Sequence, residues 1–491
     1  MSMKVAPRLP VLSLRGAFLF SLEELRGECK LTVTVKNYAT KPLQGDMMTP
    51  ISIYHSLLGN RKVLFESATK HEESGRYSFI AANPIAELKG DHQSYSFQYK
   101  EETSTEVGSV FHKLRELIPI SKEKYPFSFF GGAIGYFGYE TAFYNEKIGE
   151  MLHDELNMPD VHVYFFDTFV VIDHLEQKVT IVTIDLFDDG RPEDEMEKAI
   201  ATIEEQLKKG TTFVEEEMST LEFEPSIQKE TFIEMIEQSK RHIERGDVFQ
   251  IVLSQRFTSP YVGNAFSLYR RLRTSNPSPY MFYLEFDDYT ILGTSPESLV
   301  KVEDRKVTTN PIAGTKPRGK TPEDDLKIEQ ELLHDEKEIA EHRMLVDLGR
   351  NDISRVSKIG TVQVSKYMEI ERYKYVMHIV SEVVGELQDD VHVLDVLTSC
   401  LPAGTVSGAP KIRAMQIINE LEPLKRGVYS GAIGYISMNG NMDLAIAIRT
   451  MIVKDNMAYV QAGAGIVYDS IAESEYDETI NKLKALLEVQ R

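Results

Sequence analysis

FFGGAIGYFGYE (129–140) and YSGAIGYISMNG (429–440) contain the same pentapeptide, GAIGY, at 132–136 and again at 431–435. Glycine alternating with large apolar residues suits strands that lie close against other backbone, because a missing Cβ leaves room for the neighbour. Two copies suggest equivalent, sharply coiled sheet positions in the two halves of the chain; a coincidence of small residues fits as well. Around the first copy, residues 47–190 alternate strand-like runs (KVLFESA, YSFIAA, YSFQYK, VHVYFFDTFVVID, KVTIVTIDL) with short turns and few helices. Residues 191–225 are acidic and poor in apolar side chains: a helix, EDEMEKAIATIEEQLKKG, and then a polar linker. A boundary is expected there. The block 226–491 opens with a helix and a strand, VFQIVLSQRF, and continues with strands and helices in no regular βαβ cadence. The expected class is therefore α+β, with large mixed or antiparallel sheets. No short repeat indicates a solenoid.

At 491 residues the chain has room for two domains, or for one large domain with an appendage. Hydrophobic residues at 42% and charged residues at 27% describe an ordinary globular protein. A formal charge of -21 opposes nucleic acid as a partner. Cys29 and Cys400 are too few for a disulfide framework or a thiolate metal site, and fit a reducing cytoplasm. The apolar run VLSLRGAFLFSL (11–22) is interrupted by Arg15 and too short to cross a bilayer, so neither a signal peptide nor a membrane span is expected. Tryptophan is absent.

Two stretches place glutamates three residues apart: Glu338 and Glu341 in KEIAEHRMLVDLGRND (337–352), and Glu475 and Glu478 in ESEYDE (473–478). Both read as helix starts. Asp335 stands where a capping residue would, with Ala340, Met344, Leu345 and Leu348 at helical spacing. Ser474 is the second candidate N-cap, ahead of the stripe Tyr476, Ile480, Leu483 and Leu487. Like charges at that spacing repel by a few tenths of a kcal/mol. A solvated acidic first turn, favoured by the helix dipole, accounts for the spacing alone.

Several glycine-rich stretches accompany them. PIAGTKPRG (311–319) is a turn carrying Lys316 and Arg318, and LPAGTVSGAPKIRAM (401–415) leads into a helix at Pro410. MDLAIAIRTMIV (442–453) alternates like a strand, with Asp443, Ala445, Ala447 and Arg449 on one side. VQAGAGIVYDS (460–470) reads as a strand ending in a Gly-Ala-Gly turn. This inventory suits a small dianion bound with a divalent cation. Arg449 can grip a carboxylate in two-point fashion, and the N–H groups around Gly463 and Gly465 can cradle another. Four carboxylates from two helices make an oxygen-rich site of the kind Mg²⁺ takes.

In order and with matching gaps, PIAGTKPRG, KEIAEHRMLVDLGRND, LPAGTVSGAPKIRAM, GAIGY, AIAIRTM and QAGAGIVYDS with Glu475 and Glu478 behind it resemble the chorismate-binding enzymes. The nearest branch is anthranilate synthase component I. The resemblance runs from about residue 31 to the C-terminus. It implies a two-lobed sandwich of large mixed or antiparallel sheets with helices packed outside. It also implies a variable extension over 1–30, an N-terminal region over 31–190 contributing to a regulatory site, the acidic helix and linker over 191–225, and a catalytic domain over 226–491.

The resemblance implies conversion of chorismate and ammonia to anthranilate and pyruvate in tryptophan biosynthesis. Nitrogen would add at ring carbon 2, the C4 hydroxyl would leave, and pyruvate would be eliminated. Glu341 and Glu478 match Mg²⁺ ligands, and Glu338 and Glu475 match residues that hold metal-bound water. Gly314, Thr315, Tyr429, Arg449, Gly463, Ala464 and Gly465 match the chorismate pocket, with Thr405 and Lys482 close by. His378 matches a histidine beside the ring that handles protons, and Glu297 a general acid toward the departing hydroxyl. Gln250 stands where water-adding relatives carry a lysine base. Ala313 stands where many aminodeoxychorismate synthases carry a nucleophilic lysine. Ser67, Pro279, Tyr280 and Met281 match the segments that bind tryptophan as a feedback inhibitor.

Neither cysteine lies in the glycine-flanked turn of a glutamine-cleaving nucleophile. A separate glutamine amidotransferase subunit is therefore expected to supply ammonia, in a heterotetramer. Aminodeoxychorismate synthase component I and a non-catalytic tryptophan-binding regulator are the alternatives. A glycosidase, the other use of paired carboxylates, is disfavoured by the absence of a tryptophan sugar platform.

Overall fold

The two GAIGY segments form neighbouring strands, Gly132–Phe137 and Ala432–Ser437, paired antiparallel with Gly135 opposite Gly434. A Cβ on Gly135 would collide with the backbone of His162, and one on Gly434 with that of Asp443, each on the next strand outward. Glycine is thus used where four successive backbones press together, two from each half of the sequence. The computed structural model describes residues 37–68, 75–121, 124–210, 219–372 and 376–487. The expected extension over 1–30, with Cys29 and the apolar run 11–22, lies outside them.

These strands sit mid-way in one of two large sheets. Its order is Ile312–Pro317, Val376–Glu386, Lys306–Thr309, Ser298–Glu303, Met442–Ile446, Ala432–Ser437, Gly132–Phe137, Val161–Phe166, Ala86–Gly90, Ser94–Tyr99 and Glu102–Val107, with Gln363–Arg372 beside Val376–Glu386. The other runs Tyr38–Gln44, Lys178–Ile184, Thr168–Asp173, Tyr77–Ala81, Val63–Glu66, Tyr280–Glu285, Tyr289–Ser295, Thr450–Lys454, Met457–Ile466, Gln250–Pro260 and Glu224–Pro225, with Gly408–Ala409 on Gln250–Pro260. Every ladder between these strands is antiparallel. The α+β class holds, and of the mixed or antiparallel options the sheets take the second. Each sheet joins a block of strands from before 191–225 edge to edge with a block from after it, and the described residues fall in one compact unit, Val33–Arg491.

The sheets face each other across an aromatic core. Phe79 of one sheet packs on Tyr435 of the other, and Phe129, just ahead of strand Gly132–Phe137, packs on Phe79, Phe169 and Tyr435, with ring centroids 5.0–5.5 Å apart. The outer face of the second sheet is covered by helices Pro50–Ser56, Glu193–Lys209 and Ala265–Ser275. Near its far end, helices Lys229–Glu244 and Lys411–Leu421 bury Phe232, Ile236, Ile417 and Ile418 against Ile251, Leu253 and Ile466. The acidic helix expected over 193–210 is present as Glu193–Lys209. Among the described residues no helix is long and apolar enough to cross a membrane.

Candidate active site

The first acidic pair lies on helix Glu336–Ser354. Asp335 caps it, its side chain accepting from the N–H groups of Lys337 (3.1 Å) and Glu338 (3.3 Å). The buried stripe is His342, Leu345, Val346, Gly349 and Ile353, whereas Ala340 faces solvent, so the expected stripe is rotated along the helix. The second pair lies on helix Ala472–Leu487, which begins two residues ahead of Ser474. Ile471 O accepts the Glu475 N–H (3.0 Å), and Ser474 sits inside the first turn rather than capping it.

The two helix starts share one electrostatic neighbourhood. Burial raises the Glu338 carboxyl above its ordinary value; Glu341 and Asp335 add to the rise, and Lys337 and Lys316 oppose it. Burial likewise raises Glu475, with Glu478 adding and Ser470, Lys337 and Lys482 opposing. Lys337 thus acts on a glutamate of each helix.

Between the helices runs a floor of small residues. Strand Met457–Ile466 pairs with Gln250–Pro260, placing Gly465 opposite Val252, Ala464 opposite Leu253 and Gly463 opposite Ser254. A Cβ on Gly463 would stand 2.7 Å from Leu253 O and 2.8 Å from the Tyr429 hydroxyl oxygen, so Tyr429 reaches over this floor. Gly463 O accepts from Lys482 Nζ (2.8 Å), which also pairs with Glu478 (2.7 Å). Gln250 Nε2 donates to Glu341 Oε1 (3.0 Å). On the other flank Gly314, at φ +63° in a bulge of strand Ile312–Pro317, turns its carbonyl to accept from His378 Nδ1 (3.1 Å). That bond assigns the Nδ1–H tautomer, and burial keeps the imidazole below its ordinary pKa, hence neutral. A Cβ at Gly314 would stand 3.2 Å from Glu338 Oε2.

Glu297 and Arg449 occupy two adjacent places where the chain passes between the sheets. Glu297 lies between Tyr289–Ser295 and Ser298–Glu303; Arg449 lies between Met442–Ile446 and Thr450–Lys454. The expected continuous strand over 442–453 is therefore broken at 447–449, with Ile448 N turned back to Ile446 O (2.8 Å) and Arg449 at φ +48°. The passages are laced together: Ile446 N donates to Glu297 O (3.0 Å), Ser295 Oγ to Ile446 O (2.7 Å), and Thr294 N to Arg449 O (3.1 Å). Burial pushes the Glu297 carboxyl up to about 7, against the pull of Thr405, Lys482 and Arg449. Thr405 approaches that carboxyl without completing a well-formed hydrogen bond. Both residues line a cavity with Asn310, Leu348 and Gly404. Arg449 Nη1 reaches Asn276 Oδ1 at 3.5 Å, a long contact that leaves the planar fork largely uncommitted.

The model for the chorismate binding enzyme family matches residues 60–488. This chain belongs to that family. Anthranilate synthase component 1 of Aquifex aeolicus (strain VF5) is 45% identical over 485 residues, which cover 95% of this chain and 97% of the relative. The same component from Lactococcus lactis subsp. lactis (strain IL1403) is 44% identical over 451 residues, 91% and 99% of the two chains. The crystal structure of anthranilate synthase component I from Streptococcus pneumoniae TIGR4 superposes with a TM-score of 0.79 at 45% identity, covering 90% of this chain and 98% of that one. The menaquinone-specific isochorismate synthase of Escherichia coli, at 18% identity and a TM-score of 0.71, shares the fold.

In this chorismate-binding enzyme the expected residues Gln250, Gly314, His378, Glu338, Glu341, Glu475, Glu478, Lys482, Tyr429 and the 463–465 floor meet as described, and Glu297, Thr405 and Arg449 form a neighbouring group linked to it through Lys482. The Thr315 side chain lies outside the described residues. Among those residues, no three His, Cys, Asp or Glu side chains close into a ready cage for a metal. The four glutamates nonetheless offer only oxygen donors and crowd like charge, which fits a hard dication that also takes oxygens from substrate and water. Ser67, Pro279, Tyr280 and Met281 lie on and beside the paired strands Val63–Glu66 and Tyr280–Glu285. Met281 pairs with Glu66 in the sheet, Ala68 N donates to Ser278 O (3.0 Å), and Tyr280 donates to Asp443 Oδ1 (3.0 Å). Sequence reasoning missed Asn276, which joins the segment carrying Pro279–Met281 to Arg449; its place directly ahead of residues 277–281, PSPYM, was the available signal.

Proposed function

We propose that this chain is the chorismate-converting component of an anthranilate synthase, making anthranilate and pyruvate from chorismate and ammonia on the route to tryptophan. The observation that carries the proposal is a buried carboxyl, Glu297, held up to about 7 beside Arg449, Thr405 and Lys482. A carboxyl at that value is still protonated near neutrality and can give its proton to a departing hydroxyl.

Arg449 and the N–H groups of the 463–465 floor bind the two carboxylates of the substrate, and Tyr429 closes over them. Ammonia adds at ring carbon 2 while Glu297 protonates the C4 hydroxyl, which leaves as water. The proton released from nitrogen balances the one Glu297 gives up. Neutral His378, with Nδ1–H committed to Gly314, takes the carbon 2 proton through Nε2 as the enolpyruvyl oxygen departs with the bonding pair, and the proton passes to the released enolate, which becomes pyruvate. Glu341 and Glu478, with Glu338 and Glu475 behind them, would hold Mg²⁺. When bound, the ion supplies charge that fixes and polarises the ring carboxylate.

Two neighbours favour ammonia over the nucleophiles of sibling enzymes. Gln250, an amide bonded to Glu341, cannot deprotonate water. Ala313, buried in its strand, offers no amine to attack the ring. A glutamine amidotransferase subunit would deliver the ammonia in a cytoplasmic heterotetramer, and tryptophan would bind at Ser67, Pro279, Tyr280 and Met281. The test is purified protein with chorismate, Mg²⁺ and ammonium at alkaline pH, followed by anthranilate fluorescence. Accumulation of aminodeoxychorismate or isochorismate in its place would overturn the assignment.

A further inference from the structure

The loop before the second GAIGY strand buries an arginine to 3% exposure. The Arg426 guanidinium spends its planar donors on four places in the chain, one of them Ser430 Oγ (Nη1, 3.4 Å). Nη2 donates to Val252 O (2.8 Å) and Glu422 Oε1 (2.6 Å), Nε to Glu422 Oε2 (2.8 Å), and Nη1 to Val406 O (2.7 Å). Glu422 Oε1 also accepts from Ser254 N (2.8 Å) and Ser254 Oγ (3.0 Å). The backbone of the same loop is gripped from the other half of the sequence: Glu140 accepts from Arg426 N (2.8 Å) and Gly427 N (3.0 Å). The guanidinium lies over the Tyr139 ring at 4.8 Å and the Tyr429 ring at 5.7 Å.

Each tethered segment carries part of the chorismate pocket proposed above. Val252 faces Gly465 and follows Gln250 by two residues, and Ser254 faces Gly463. Val406 follows Thr405, and Tyr429 precedes Ser430, which is held at φ +64°. Arg426 touches none of the reacting groups. We propose that Arg426, with Glu422, is a positioning residue for chorismate, fixing Thr405, Tyr429 and the 463–465 floor relative to one another. Glu140, at the end of the first GAIGY segment, locks the first part of the chain into the same arrangement. A lysine cannot replace it, because one ammonium has no coplanar fork to reach Val252, Val406 and Glu422 together. A buried ion pair is poor evidence of stabilisation and is better explained by the geometry it enforces.

This inference rests on the chorismate reading, and the experiment separates the two. Full-length R426K, E422Q, E140Q and the R426K/E422Q double variant are compared with wild type. Readouts are circular dichroism, the urea midpoint, and kcat with KM for chorismate and for ammonium separately. In variants that remain folded, kcat/KM for chorismate is expected to fall at least tenfold while KM for ammonium stays within about twofold, since small misplacements in a pocket are costly to rate. The double variant should be no worse than R426K, the pair acting as one unit. Folded variants with chorismate constants within about twofold of wild type, equal rises in KM for chorismate and for ammonium, or additive losses in the double variant would each overturn the proposal. If R426K does not fold, E422Q and E140Q decide by the same criteria. A wild-type protein that makes no anthranilate sinks the functional reading itself.

Discussion

Replacing Glu297 by glutamine keeps the shape of the side chain and removes its proton. In the folded protein this carboxyl is pushed by burial from an ordinary 4.5 to about 7. At 1.36 kcal/mol per pH unit, that rise is about 3 kcal/mol of unfavourable burial for the charged form. The sign is that of a raised acid. Below the unfolded value both states carry the proton and nothing is lost. As pH rises past it the unfolded chain ionises first, and stability declines until the folded carboxyl ionises near 7. Wild type should therefore lose about 2.5 kcal/mol relative to Glu297→Gln between pH 5 and pH 8. Urea denaturation at the two pH values measures it, read by tyrosine emission because the chain has 23 tyrosines and no tryptophan. In the same variant, kcat for anthranilate formation should drop about 10²–10⁴-fold, the ordinary contribution of a general acid. Wild-type kcat/KM for chorismate, corrected for the free NH₃ fraction, should decline above pH 7, and that limb should vanish in the variant. Parallel stability curves for the two proteins, or a variant that keeps its alkaline limb, would refute the assignment of the acid to Glu297.

Arg449→Lys exchanges a planar fork for a point charge, and KM for chorismate should rise about 10–100-fold with the urea midpoint little changed, from the 1.5–3 kcal/mol of a charged hydrogen bond. Glu341→Gln and Glu478→Gln should each abolish Mg²⁺-dependent turnover. Tryptophan binding, followed by calorimetry, should persist in both, and an unchanged Mg²⁺ titration would contradict their role. Gly434→Ala drives a Cβ into the Asp443 backbone at the join of the two GAIGY strands, and should cost about 3 kcal/mol or more, seen as a lower urea midpoint or insoluble protein.

Local chemistry was readable where it acts within one turn. Asp335 caps its helix as the spacing foretold, and the acidic pairs lie on helices. Alternation misled over 442–453: apolar residues continue in period two across 447–449, and nothing in that pattern encodes a break. The break belongs to the tertiary structure, since Thr294 N donates to Arg449 O from another strand. The start of the last helix was also misplaced, because Ser474 has capping chemistry but Ile471 supplies the first carbonyl. Nothing in LKRG (424–427) singles out Arg426, because its partners come from positions 140, 252, 406, 422 and 430 and only folding gathers them. The pairing of the two GAIGY copies was likewise illegible. A repeated pentapeptide shows that two strands are alike, and register between distant strands is set by the faces they bury.

That pairing explains where the chemistry sits. Sheets packed face to face on aromatic side chains have their backbone groups satisfied within the ladders, and their interior has no place for an isolated ion. Ladders end where strands leave one sheet for the other, and there polar groups must find new partners. Ser295–Ser298 and Ile446–Thr450 are two such passages lying side by side, and they hold Glu297 and Arg449. Near the sheets, yet not enclosed by them, these residues are desolvated enough for burial to keep a carboxyl protonated and to leave a guanidinium with few partners. The same burial that would destabilise either group alone makes each strongly responsive to a dianion with a leaving hydroxyl. On the proposed function, the mixed origin of the sheets matters for catalysis as well as for folding. The first GAIGY strand is followed by Tyr139 and Glu140, which hold the loop of Arg426 and Tyr429 from a part of the chain that supplies none of the chorismate-binding residues proposed above.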